Sequence, residues 1–103
     1  MDAVRDNTDS QRFELTQDGI TAWSSYVRVG NLVDIQHTHV PEEARGKGMA
    51  SALIKGSLDL LRSRGEKLVP TCPFVRTFLK RRPEYQTLLA DMEYLSKHPE
   101  RSQ

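Results

Sequence analysis

The stretch HTHVPEEARGKGMASALIKGSLDLL, His37 to Leu61, sets two glycines and two cations at the mouth of what reads as the longest helix in the chain. Ala50, Leu53, Ile54, Ser57, Leu58 and Leu61 recur at helical spacing and form one small-to-apolar stripe, with Lys55, Asp59 and Arg62 on the solvent side. Gly65 follows the last turn, where a left-handed cap is wanted, and Arg62 and Arg64 sit near the negative end of the helix dipole. At the opposite end, first-turn N–H groups have no helical acceptors, and the aligned peptide dipoles add partial positive charge. Gly46 and Gly48 remove side chains that would hold a ligand off that backbone, and Arg45 and Lys47 add formal charge. Such an assembly suits a phosphate or pyrophosphate. The alternative is a tight strand-to-helix connection with two solvated cations, and the spacing alone leaves both open.

Upstream, RFELTQDGITAWSSYVRV reads as two strands joined by a tight turn at Asp18-Gly19, with a second turn at Gly30-Asn31 before LVDIQHTHV. The expected product is an antiparallel meander of roughly Arg12–Thr16, Ile20–Val29 and Leu32–Val40. Simple alternation in the third strand puts Val33, Ile35, His37 and His39 on one face and Leu32, Asp34, Gln36, Thr38 and Val40 on the other. Downstream, EKLVPTC reads as a short strand returning beside the third one, so strand, helix and strand make a right-handed parallel crossover. Pro73 opens a second helix over PFVRTFLKRR, Pro83 interrupts it, and EYQTLLADMEYLSK is expected to resume as a third. The fold class is therefore α+β: a meander plus a parallel crossover, with helices packed on the sheet. Residues 1–10 carry almost nothing apolar and read as a disordered tail, 11–97 as a single domain and 98–103 as a second tail.

A chain of 103 residues with 37% hydrophobic and 28% charged residues has the composition of one soluble globular domain. Its net charge of +1 offers no broad basic field, so neither nucleic acid nor an anionic membrane is an expected partner. No apolar run approaches the roughly 20 residues that cross a bilayer. MDAVRDNTDSQR reads as neither a signal nor a transit peptide. The lone Cys72 excludes an intrachain disulfide and fits a reducing, cytoplasmic setting. A monomer or weak dimer is expected, and no pattern of His, Cys and carboxylate has the spacing of a metal site.

Among phosphate motifs, a P-loop needs GxxxxGK followed by Ser or Thr, which is absent, and a dinucleotide fingerprint would need glycine where Ser51 stands. VPEEARGKGMASALI instead resembles motif A of the GNAT (GCN5-related) acyltransferases, Arg/Gln-x-x-Gly-x-Gly/Ala, met here by Arg45, Gly48 and Ala50. With HTxVP before it and a cysteine on the next strand, the chain from Phe13 to Leu89 looks like the small single-domain GNAT subgroup. The resemblance implies a minimal GNAT fold in which the two parallel strands splay apart. It implies that acetyl-coenzyme A lies in that gap, its pantetheine arm against the backbone of Thr38 and Val40. Its diphosphate would lie on the amides of Arg45, Gly46, Lys47, Gly48, Met49 and Ala50. The activity implied is transfer of an acetyl group to an amine of unknown identity, on a protein or peptide among other possibilities.

Direct transfer needs a deprotonated amine, a polarised thioester carbonyl and a proton for the departing thiolate. His37 and His39 are the candidate bases, because an ordinary imidazole titrates near working pH. Relatives commonly carry Glu where this chain has His39, so a carboxylate base is not implied. The tyrosine acid of many full-length GNATs has Leu79 as its nearest equivalent here, with Tyr85 further on. Cys72, at the start of the second helix, is a candidate proton donor or nucleophile, a helix amino terminus being favourable to thiolate; a buried packing role is the alternative. Trp23, Tyr26, Phe13 and Phe78 read as core or sheet-face residues, and Lys80 to Arg82 as a cationic cluster complementing a helix end. The rival to an acetyltransferase is a coenzyme A-binding or interaction protein with little or no catalysis.

Overall fold

Alternation decides the sheet. In the computed structural model, which describes residues 3–90, the strands β2 (Arg12–Gln17), β3 (Ile20–Val29) and β4 (Leu32–His39) form the expected meander. Asp18 and Gly19 both take positive φ, 53° and 78°, as a tight two-residue hairpin turn requires. Beyond β4 the chain makes a 3-10 turn at Glu42–Ala44, then helix α1 (Met49–Arg64), strand β5 (Lys67–Pro70) parallel to β4, and helix α2 (Pro73–Arg81). Gly65 ends α1 in the left-handed region with φ 69°, the cap the sequence asks for. The sheet order is β1-β2-β3-β4-β5, antiparallel except for the last pair.

One face of the sheet, carrying Phe13, Leu15, Ala22, Tyr26, Val33 and Ile35, packs against Leu53, Leu58 and Leu61 of α1 and Val75 and Phe78 of α2 in a single core. On the far face Leu32, Val69 and Ala90 form a small satellite cluster. No helix among the described residues is long and apolar enough to cross a membrane.

Three expectations need correction. The amino-terminal tail is not wholly unstructured: Arg5–Asn7 form β1 and pair with Glu14, Phe13 and Arg12 of β2. Charge pairing and one apolar contact hold it. The Asp6 side chain is only 4% exposed and accepts bonds from Tyr26, Arg28 and Arg64. Val4 lies directly over Gly56, where α1 has no side chain to obstruct it.

The α-helix expected to resume at Glu84 is a 3-10 helix, Pro83–Leu88, after which the chain runs extended and Leu89 bridges in parallel to Leu68. The remainder of that expected helix, and the domain boundary at 97–98, lie outside the described residues.

Finally, β4 does not alternate simply. Tyr26 faces Ile35 and Ser25 faces His37, leaving Gln36 as an extra residue in a β-bulge. Downstream of it the faces exchange: Thr38 joins Val33 and Ile35 on the buried face, while His37 and His39 turn to the opposite one beside Trp23.

Candidate functional site

The ladder between β4 and β5 ends at Ile35–Pro70, and the last bond across it is Cys72 N–H to the Ile35 carbonyl, 2.9 Å. The sequence explains why the strands part. Pro70 cannot donate to a ladder, and Pro73 starts a helix that carries the chain away while β4 continues to His39. Asp34 pins the fork: its buried carboxylate accepts a 2.6 Å bond from the Thr71 hydroxyl and a 3.3 Å bond from the Gln36 amide.

Beyond this fork a cleft of about 500 Å³ begins at His37 and runs past Thr38 and Val40 to the glycine turn, with Phe74 at its side. Gly46 and Gly48 sit at φ 82° and 77°, and a Cβ at either would meet nothing within 4 Å. The backbone is thus left-handed and open there, a shape a side-chain-bearing residue adopts only with strain. No side chain caps the start of α1, so its first-turn N–H groups face the cleft without a side-chain acceptor. These are the features an anionic phosphate group needs, and the residues present fit one. Arg45 spends its Nε on the Val40 carbonyl, 3.2 Å, and so ties the glycine turn to the end of β4. Met49 is buried in the core yet borders the cleft, whereas Ala50 is half-buried on the wall. Lys47 is exposed and off the cleft lining.

The candidate catalytic residues divide. His37 and His39 reach the mouth of the cleft, their rings 5.6 and 5.4 Å from that of Trp23. Cys72 does not line the cleft. It is 1% exposed and lies behind Thr38, its sulfur 3.3 Å from the Thr38 hydroxyl, which in turn pairs with Ser24 at 2.7 Å. The three make a buried polar chain beneath the cleft wall. Tyr85 is remote: its hydroxyl donates to Asp59 of α1 at 2.7 Å, and burial, then that carboxylate, raise its pKa. Leu79 is core. Of the Lys80 to Arg82 cluster, Arg81 lines a second groove of about 400 Å³ between α1 and α2, while Arg82 pairs with Glu84.

Sequence reasoning missed Phe74. It is 53% exposed and borders both the cleft and the adjoining groove. The signal was present, because Val75, Phe78 and Leu79 already complete the apolar stripe of α2 and leave Phe74 off it.

The sequence profile of the GCN5-related N-acetyl-transferases matches residues 12–88, which spans β2 through the 3-10 helix and so contains the whole cleft. This chain belongs to that family. Among its relatives, the protein NATD1 of Bos taurus is 39% identical over 64 residues, 61% of this chain and 57% of its own length. NATD1 of Mus musculus is also 39% identical over 64 residues, with 58% of its length covered. The match thus spans less than two thirds of these relatives. The solution structure of a GCN5-like protein from Staphylococcus aureus superposes with a TM-score of 0.64 over 86% of this chain and 88% of that one. At 24% identity that likeness establishes the GCN5-related fold.

Proposed function

We propose that this chain binds acetyl-coenzyme A along the cleft between β4 and the start of α1 and transfers the acetyl group to an amine. The observation that carries the reading is the continuity of one cleft from the end of β4, just past its parting from β5, to the open glycine turn. The amides from Gly46 to Ala50, with Lys47 nearby, would hold the diphosphate. The backbone at Thr38 in β4 and at Val40 just beyond it, left without a strand partner where β5 departs, would take the extended arm. The bound cosubstrate supplies the thioester, at which the amine nitrogen replaces sulfur on the acetyl carbon. His37 or His39 would take the amine proton. Thr38, held by Ser24 and Cys72, keeps the wall beneath the reacting atoms rigid, and Cys72 serves this positioning role rather than that of a nucleophile.

A coenzyme A-binding protein with weak turnover is the second reading. The burial of Cys72 and the engagement of Tyr85 with Asp59 favour it, since both remove a candidate acid from the cleft.

Calorimetric titration with acetyl-coenzyme A tests the seat. Saturable binding is expected for the wild type. Gly48→Ala, which adds about 1–2 kcal/mol of left-handed strain but little bulk, should weaken binding modestly. Gly48→Glu, which adds the same strain plus bulk and negative charge, should abolish it. Absence of binding by the wild type overturns the reading. If binding holds, acetyl transfer to a panel of amines decides between the two functions.

A further inference from the structure

The bulge at Gln36 has turned two imidazoles, which share a face, away from the buried side of the sheet. Residues at i and i+2 on a strand point the same way, their anchors about 6.6 Å apart. His37 is exposed and His39 half-buried, and both rings rest against the same indole, that of Trp23. Their contacts there are with that ring, and among the described residues no protein donor or acceptor bonds either imidazole. The neighbours that could compete are engaged: Glu14, across Trp23, is held by Arg5 at 2.6 Å and by Asn7, and the Arg12 guanidinium stacks 4.1 Å above the indole.

We propose that His37 and His39 form a two-imidazole site for a borderline divalent transition metal ion of the Cu²⁺, Ni²⁺ and Zn²⁺ class. Two rings with these anchors can converge on one ion, with metal–nitrogen bonds of about 2.0–2.1 Å. Imidazole selects this class over Mg²⁺ and Ca²⁺, which want oxygen ligands. The described residues place no third His, Cys, Asp or Glu with the pair, so water completes the coordination sphere. The positive charge of Arg12 limits the affinity. Occupation would consume the lone pairs that an amine's proton needs, so the ion would inhibit acetyl transfer. That consequence rests on the proposed activity; the metal site does not.

Trp23 is the only tryptophan in the chain, and its emission reports on the pair it touches. The full-length protein is titrated with Ni²⁺, which quenches indole emission without oxidising the thiol, in the absence of coenzyme and acceptor. Saturable quenching with one-to-one stoichiometry is expected, reversed by Zn²⁺ and untouched by Mg²⁺. His37→Gln and His39→Gln should each lower the apparent affinity roughly tenfold or more, because each removes the intramolecular second ligand. Both variants keep His98 and should keep the wild-type far-ultraviolet circular dichroism and thermal melt, which assigns the loss to the pair and shows that each has folded. Wild-type quenching that does not saturate, or quenching that survives unaltered in both variants, overturns the proposal. Neither result bears on acetyl-coenzyme A binding.

Discussion

Gly56 lies in the middle of α1, where alanine would ordinarily stabilise a helix by about 1 kcal/mol. A Cβ built there stands 2.8 Å from the Val4 Cβ and closer still to Val4 Cγ2, tighter than real side chains tolerate. Overpacking of this kind costs about 1–3 kcal/mol. Val4 is partly exposed, so the low end of that range applies if the amino-terminal segment slides, and the high end if β1 is held fast by Asp6. Gly56→Ala should therefore be neutral to about 2 kcal/mol destabilising, the cost less the propensity gain. In a chain of this size each kcal/mol lowers Tm by about 4–8 °C. Val4→Gly removes both offending atoms, so in that background Gly56→Ala should recover its gain. Thermal melts of the four proteins in the cycle give the coupling directly, expected at about 1–3 kcal/mol. Stabilisation of the wild-type background by Gly56→Ala, with no coupling to Val4, would show that the segment does not rest on α1 and would refute the reasoning.

Thr38→Val strips the partner from the buried Ser24 hydroxyl and from Cys72, and should cost about 1–3 kcal/mol, read as a fall in Tm. Cys72→Ala should leave both acetyl-coenzyme A affinity and turnover within a factor of a few; a collapse in turnover with binding intact would return the thiol to the chemistry. The pH dependence of stability should carry the signature of Asp6. Burial pushes its carboxyl up, but the bonds from Arg64, Tyr26 and Arg28 outweigh burial and hold it below the ordinary carboxylate range. The unfolded chain therefore binds the proton more readily, and the stability contributed is complete above the unfolded pKa of about 3.9 and lost as pH falls through the folded value. In Asp6→Asn the acid limb of Tm against pH should flatten; Asp59, lowered by Tyr85 and Lys55 against its own burial, leaves a residual slope. An unchanged acid limb would count against the network.

What the sequence made legible was whatever depends on local chemistry. Asp18-Gly19 and Gly65 demanded positive φ and received it, the stripe of α1 buried as its spacing requires, and Pro73 opened α2. The glycine turn could be placed at the mouth of a helix because glycine and helix capping are near-neighbour effects. Three things depended on distant parts of the chain. β1 is fixed by Asp6 reaching Arg28 and Arg64, partners 22 and 58 residues away, which no window of composition reveals. The 3-10 helix after Pro83 is shaped by the extended residues beyond it, where Leu89 runs beside Leu68. Cys72 stands at the helix start foreseen for it, but whether its sulfur points to the cleft or behind Thr38 is settled by packing between two elements.

The bulge in β4 concentrates the placement of the candidate chemistry on the shape of the strand rather than on the identity of the extra residue. Gln36 is exposed, and its side chain makes a single 3.3 Å bond, to Asp34, among the described residues, so most substitutions at this position should pass with little effect. Loss of its codon should be absorbed as well. With one residue fewer, Ile35, His37, Thr38 and His39 alternate as a regular strand opposite Tyr26, Ser25, Ser24 and Trp23, so both imidazoles keep the outer face and the Thr38 hydroxyl stays beside Ser24 and Cys72. The change that cannot pass is one that straightens the strand while keeping the residue, because simple alternation would then turn both imidazoles into the apolar layer beneath α1.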